Sequence, residues 1–450
     1  MVLEAISRKE QIRALSYKTL NPVRPTLRVV PNGVSQEIND MITTQGRIEQ
    51  AMFDWEELGL DEPGLDPKKR IGSGRFAFLV HPRSMGYDVP RQFPYLSRKY
   101  FDAETIKREF LKIPPFRASM ITGVKDKNNN LVEGYVIIAT ILPEQLSLAV
   151  TPREERKAIG YMKENVEDTL RLGYQLGADG IGLGALSGTF TKMGKATEEK
   201  YPEIGITTGH SFTSQLIRDT FIAATDRLAM NDLGSLEVAV VGAGGSIGES
   251  AARFCAGRVG RMTLFDLGAK ENIMQQFIEI NKKSSNTEIN CVTVVNGKDP
   301  KYELLKNADV VICASTATEP FIRSDWLKKG ALVIDDSAPF NIGQGVVESV
   351  GGVTLHVVAR TPDGVGFNFP FGLATEDSIF ACGVEITALA MAGKLKEGHT
   401  GPSNEDSIQR IAPIVTAAGF GLAPFQSFGV LVTDQDFEIA KKVRQGRLTP

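Results

Sequence analysis

Four cysteines in 450 residues are too few for a disulfide scaffold. Cys255, Cys291, Cys313 and Cys382 form no Cys-x-x-Cys pair and have no histidine at ligand spacing, which argues against a zinc site or other metal centre. Such usage suits a reducing compartment, and the cytoplasm is the expected location. No excess of one charge exists either. With 51 basic and 54 acidic residues the net charge is −3, so no overall basic field draws the chain to nucleic acid. No apolar run approaches the roughly 18 residues that a bilayer span needs. The N-terminal stretch MVLEAISRKEQIRALSYK mixes acids and bases and has no signal-peptide core. Peripheral membrane contact and oligomeric state stay open.

What is present fits a globular protein: 42% hydrophobic and 23% charged residues. Its length exceeds what one core organises, so two or three domains are expected. Residues 1–72 are polar, end in the turn-rich DEPGLDPKKRIGSG, and read as an extension with short helices. Ordered patterning starts at Arg75–Val80, a buried strand, with another over 134–140. A helix over about 153–173 carries Ile159, Met162, Val166 and Leu170 on one face. The run Gly177-Ala-Asp-Gly-Ile-Gly-Leu-Gly-Ala-Leu-Ser187 is a glycine-rich strand and turn within a first domain spanning 73–205. A connecting helix fills 206–235, alternating strands and helices fill 236–360, and 361–450 holds a helical pair near 375–395 and 404–418. The expected fold class is α/β: an N-terminal α/β substrate domain, a Rossmann-type doubly wound parallel-sheet domain, and C-terminal helices packing back on the first domain.

The segment Leu236-Glu-Val-Ala-Val-Val-Gly-Ala-Gly-Gly-Ser-Ile-Gly248 runs from strand through glycines into a helix. Gly242 permits the tight turn, Gly244 or Gly245 lets backbone approach a pyrophosphate, and Gly248 allows close helix–strand packing. Ser246 and Ile247 stand at the helix start, where the pyrophosphate sits. The spacing is GxGGxxG, not GxGxxG. Glycines alone are weak evidence, yet the order around them is the one nucleotide binding demands. The next strand, Arg261–Asp266, ends in an acid placed to hold a ribose 2′-OH and repel a 2′-phosphate. Asp266 therefore predicts NADH over NADPH, with Lys270 softening the preference. A later strand ends in Ala314, Ser315 and Thr316, and another ends at Asp336, both at the carboxyl edge where such sheets bind ligands. Cys313 lies mid-strand and reads as core.

A bound nicotinamide carries hydride, so a side chain must handle the substrate. His81 and His210 fall in loop or cap contexts, His356 in an apolar strand and His399 in a polar loop. His210 is the best general-base candidate, though a histidine at a helix start equally well caps or packs. Cys382 lies in Thr375-Glu-Asp-Ser-Ile-Phe-Ala-Cys-Gly-Val-Glu385, in the second turn of a helix that Thr375 can cap. Amides there assist a thiolate, while Glu376 and Asp377 oppose it. Ile379, Cys382, Ile386 and Leu389 also form one apolar stripe, so packing alone is an alternative role.

Five segments resemble the cyanobacterial acyl-ACP reductases (long-chain, fatty-aldehyde-forming) and their bacterial relatives, some described as predicted amino acid dehydrogenases. They are Gly177–Phe190, Ile206–Thr213, Val238–Gly248, Val333–Pro339 and Phe380–Glu385, in the family's order across about 73–420. The resemblance implies that Cys382 accepts the acyl group from an acyl-ACP or acyl-CoA thioester, that hydride then reduces the acyl-enzyme, and that the thiohemiacetal collapses to aldehyde. His210, Ser211, Thr213 and backbone amides are the candidate oxyanion donors. The turn at 182–188 either admits an acyl chain or pantetheine close to backbone or is simply tight packing. Basic runs at 441–447 and 153–157 offer docking faces for an acidic carrier, although such runs are usually solvated. Two departures stand out: the family uses NADPH, with a basic residue where this chain has Asp266, and residues 1–72 have no counterpart. Two rival readings accompany this one. One is a shikimate-dehydrogenase-like amino-acid or hydroxy-acid dehydrogenase in which Cys382 merely packs. The other is a non-catalytic NAD(H)-binding regulatory protein.

Overall fold

The computed structural model describes residues 36–62, 64–147, 151–282 and 285–450; the first part of the extension expected over 1–72 lies outside the described residues. Where description begins, a 22-residue helix, α1 (Gln36–Glu57), replaces the short helices expected there. Thr44, Ile48, Ala51 and Trp55 bury one face at helical spacing, and the stripe is thin enough to read as irregular in sequence. Arg47 of α1 donates to the Gln92 carbonyl at 2.6 Å and to the Gln92 side chain at 2.8 Å, which pins the helix against the segment after the first strand.

The first sheet holds β1 (Arg75–Val80), β2 (Phe116–Ile121), β3 (Gly134–Ile138), β4 (Ala178–Leu183) and β5 (Gly205–Thr207), in the order β2-β3-β1-β4-β5. β2 runs antiparallel to β3 and the remaining pairings are parallel. In β2 Arg117 and Ser119 alternate with Phe116, Ala118 and Met120, and the register against β3 slips between Arg117 and Ser119. Helix α2 (Ala103–Phe110) precedes β2. Helix α3 (Pro152–Gln175) opens with a capping box in which Thr151 and Glu154 satisfy each other's amides.

Helix α4 (His210–Arg227) leads to a second sheet, built from β6 (Glu237–Val241), β7 (Arg261–Leu267), β8 (Glu288–Val294), β9 (Val310–Cys313), β10 (Leu332–Asp335) and β11 (Val353–His356). Helices α5 (Ser246–Cys255) and α6 (Glu271–Asn281) cross between β6, β7 and β8. The order is β11-β10-β9-β6-β7-β8 and every pairing is parallel. This is a doubly wound Rossmann-type sheet, reversing direction between β6 and β9. Val310, Val311, Ile312 and Cys313 are all fully buried, as a strand covered on both faces requires.

The chain then forms β12 (Val358–Arg360), β13 (Ser378–Phe380), α7 (Ala381–Met391), α8 (Glu405–Ala417), β14 (Gly421–Leu422) and α9 (Asp434–Arg444). Helix α7 lies on β1 and β4 because β4 presents almost no side chain to it. A Cβ at Gly182 would stand 2.7 Å from Ile386, and one at Gly180 would stand 2.9 Å from Leu395. The glycine run of β4 is therefore a helix-packing surface rather than an approach for a ligand. Helix α9 goes to the second sheet instead: Arg444 pairs with Asp309 at 3.0 Å, so that part of the basic tail is structurally engaged. Among the described residues no helix is long and apolar enough to cross a membrane.

Gly182→Leu should destabilise the protein by about 1–3 kcal/mol in denaturant unfolding, because Ile386 must move. Gly268→Ala, with nothing within 4 Å of the added methyl, should leave the midpoint unchanged.

Candidate active site

A cleft of about 1410 Å³ lies where the carboxyl ends of the two sheets face each other. Gly242, Gly245, Ser246, Ile247 and Asp266 line it from the second sheet, as do Ala314, Ser315, Thr316 and Asp336. His81, His210 and Thr213 line it from the first sheet and α4, and Phe380 and Cys382 from the start of α7. Gly244, Gly248 and Ser211 stand behind this wall.

The glycines divide their work sharply. Gly242 has φ 83°, and a Cβ there would lie 2.6 Å from the Ala314 carbonyl. At Gly248 a Cβ would lie 2.1 Å from the Gly242 carbonyl, so this residue packs helix against turn. Gly244 is covered by Lys270, and its amide donates to the Asp266 carboxylate at 2.7 Å. Gly245 is the open one. Its added Cβ would meet the Gly242 carbonyl at 3.2 Å and little else, and it caps α5 at the positive end of the helix. That opening, the amides that begin α5, and the acid closing β7 fit the pyrophosphate and ribose of a dinucleotide. Asp266 is already oriented, since its second oxygen accepts the Leu267 amide at 2.7 Å. The Ser246 hydroxyl serves the protein: it accepts the Ser403 amide at 2.8 Å and pairs with His210 Nδ1 at 3.1 Å. Ser315 likewise donates to Asn341 at 2.7 Å.

Cys382 stands one turn earlier in its helix than its sequence suggests. Residues 378–380 pair with β12 as a strand, and Thr375 bonds Ser378 at 2.7 Å, so neither is available to start the helix. Cys382 is the second residue of α7, where helix amides are unpaired. The amides of Ala185, Gly383 and Cys382 itself all favour a thiolate there, yet burial outweighs them, and with the nearby Asp336 charge it pushes the thiol up to about 12. Ala185 reaches the sulfur from a left-handed φ of 49°. The turn is fixed by His81, whose Nε2 accepts the Leu186 amide at 3.0 Å while its Nδ1 donates to the Pro82 carbonyl at 2.8 Å.

Asp335 and Asp336 have separate tasks. Asp335 is fully buried and accepts the amides of Ser337, Asn341 and Ile342 at 2.9, 2.7 and 3.1 Å; burial still pushes it up to about 7. Asp336 faces the cleft and accepts no hydrogen bond among the described residues. Burial, then the adjacent Asp335, raise its carboxyl well above the ordinary range. Asp336, expected at the cofactor, lines the same cleft as Cys382, and its negative charge disfavours the thiolate there.

His210 opens α4, and burial, helped by His399, pushes it down to about 4, so it is a neutral imidazole engaged with Ser246. Thr213 is at the wall, buried, with no partner for its hydroxyl among the described residues. Ser211 is fully buried and its amide favours the carboxylate of Glu385, a residue that sequence reasoning passed over. The signal was present: one acid in the otherwise apolar stretch ACGVEITALAM needs a buried partner. Among the described residues no three His, Cys, Asp or Glu side chains are grouped to hold a metal ion.

No family model and no curated protein matches this chain. Among solved structures it is similar to a Δ(1)-pyrroline-2-carboxylate reductase of Thermococcus litoralis in complex with NADH and L-proline. The identity there is 19% and the TM-score 0.18, over 26% of this chain and 37% of that one. A probable ornithine cyclodeaminase from Bordetella pertussis Tohama I matches at 15% identity and TM-score 0.21, over 52% of this chain and 69% of that one. A shikimate 5-dehydrogenase of Listeria monocytogenes, in complex with shikimate and NAD, matches at 10% identity and TM-score 0.28, over 79% and 99%. Likenesses this slight carry no argument about activity, and the fold assignment rests on the strand order itself.

The raised thiol gives a pH prediction. Without ligands, alkylation of Cys382 by iodoacetamide, read on its peptide by mass spectrometry, should climb about tenfold per pH unit from pH 7 with no plateau below pH 10. An ordinary cysteine levels off above about 8.5. A plateau near neutrality would mean that the amides win over burial.

Proposed function

We propose that this protein is a nicotinamide-dependent oxidoreductase that reduces an acyl thioester to an aldehyde through an acyl-cysteine at Cys382. The observation that carries the reading is the placement of Cys382, under the Ala185 and Gly383 amides, on the wall of the cleft into which Gly245 opens. The coarser part, use of a dinucleotide, needs only the Gly245 turn, the start of α5 and Asp266. When bound, the reduced dinucleotide supplies a hydride. Asp266 favours NADH by accepting a ribose hydroxyl; the resemblance to acyl-ACP reductases pulls towards NADPH, and Lys270 lies over the same turn.

The protein's own groups account for the proton. In the reacting state ionised Asp336 takes the Cys382 proton as sulfur attacks the thioester carbon, and returns it to the departing carrier thiolate. Its raised pKa makes it a stronger base than an ordinary carboxylate, closer in affinity to the thiol it must serve. The Ala185 and Gly383 amides favour negative charge at the sulfur and stabilise the thiolate that leaves when aldehyde forms. Phe78, Leu183, Phe371 and Phe380 give the first-sheet end of the cleft an apolar wall suited to an acyl chain.

Acyl-CoA or acyl-ACP, offered without dinucleotide, should leave an acyl mass adduct on Cys382, and adding NADH should release aldehyde detectable by gas chromatography. Cys382→Ala should abolish both. Full thioester reduction by that variant would overturn the reading, and activity of the variant on a small hydroxy or amino acid would favour the dehydrogenase instead. In a separate titration NADH should bind more tightly than NADPH, and Asp266→Ser should narrow the gap. Tighter NADPH binding by the unaltered protein would show that Asp266 does not face the ribose.

A further inference from the structure

Glu385 is a buried acid that the chemistry above leaves unused. It lies one turn beyond Cys382 on α7 and is fully buried. Its carboxylate reaches across to other elements. The Thr207 hydroxyl, at the end of β5, donates to one oxygen, and the Phe212 amide donates to the other at 3.2 Å, with the Ser211 amide acting on it as well. Ser211 and Phe212 belong to the first turn of α4, so the acid sits on the positive end of that helix. Burial raises its carboxyl from the ordinary range, while these donors and the field of Arg410 pull it back.

The same junction is tight in its backbone. Gly209 caps α4 at φ 71°, and a Cβ there would stand 2.6 Å from the Cys382 carbonyl oxygen and 2.7 Å from its Cα. The next residue, His210, bonds Ser246 at 3.1 Å, and Ser246 is the first residue of α5. Contacts thus run without a break from the dinucleotide turn through His210 and the first turn of α4 to Glu385 and Cys382.

We propose that Glu385 is the positioning residue for Cys382: by clamping α7 to the first turn of α4 it holds the sulfur in one frame with the start of α5. It touches neither substrate nor dinucleotide. Its activity readout rests on the thioester reading, but the position of the sulfur does not. Glu385→Ala would strand buried donors and risks unfolding, so the test uses Glu385→Gln, which keeps the shape, and Thr207→Val, which removes one donor. Both are made in the full chain, with thermal unfolding as a check on folding. Cys382 alkylation by iodoacetamide, followed against pH without ligand, should fall about tenfold in each variant, as a thiol drawn off the Ala185 amide loses thiolate. Acyl adduct formation should fall on the order of 100-fold, the cost of misplacing a reacting group by about 1 Å. NADH affinity should stay within about twofold, because the turn itself is untouched. Unaltered alkylation profiles in both variants would overturn the proposal, as would losses that merely follow the unfolded fraction. If the unaltered protein takes up no acyl group, the thioester reading fails, and the alkylation comparison still decides the clamp.

Discussion

Two sheets that share no strand present their carboxyl ends to a single cleft, and on its first-sheet side Gly209 seats closely on the backbone of Cys382. No side chain intervenes, so the start of α4 and the start of α7 are separated by little more than contact distance. Each carries its unpaired amides towards a different user. Those of α4 favour Glu385, those of α7 act on the sulfur, and those of α5 remain for a ligand anion. A fold that brings three helix N-termini to one place adds positive potential there. Beside the carboxyls of Asp266, Asp335 and Asp336, the cleft is also lined by Arg83, Lys192, Lys270, Lys298 and Arg323.

Histidine contributes little charge here. Burial pushes His81 and His210 down to about 4 and His356 to about 3, so all three are neutral at physiological pH. His81 and His210 act as shaped hydrogen-bonding blocks, one bracing the Ala185–Leu186 turn and the other joining α4 to α5. His356 stacks on Phe340 with ring centroids 3.6 Å apart. In the proposed reaction general acid–base duty falls instead to a carboxyl whose environment has raised its proton affinity, a familiar route to matching the basicity of a thiol.

Much of this was legible in the sequence where the determinants are local. The strand–glycine–helix run at 236–248 and the acid at 266 follow from backbone geometry that neighbouring residues dictate, and so they read directly. What could not be read depended on distant partners. The start of α7 moved because 378–380 pairs with β12, a tertiary contact that overrode an otherwise helical pattern. The sequence does not distinguish Gly244 from Gly245, because Lys270, which covers the first and spares the second, comes from the next turn of chain. Ser211, a candidate oxyanion donor under the family resemblance, is fully buried and does not line the cleft. In the turn at 182–188, equally suited in sequence to a ligand and to packing, Gly182 is taken up by Ile386, while a Cβ at Gly188 would have nothing nearer than His210 at 3.7 Å.

The path of the chain between its halves has a mechanical corollary. It passes from the first sheet to the second through α4, comes back from β11 by way of β12 and β13 to α7, and leaves again for the second sheet in α9, where Arg444 is tied to Asp309. Lobes joined by a single linker can swing apart freely. Lobes stitched by three separate crossings resist such swinging, because every crossing must yield at once. Parting the walls of this cleft would require all three crossings to give together.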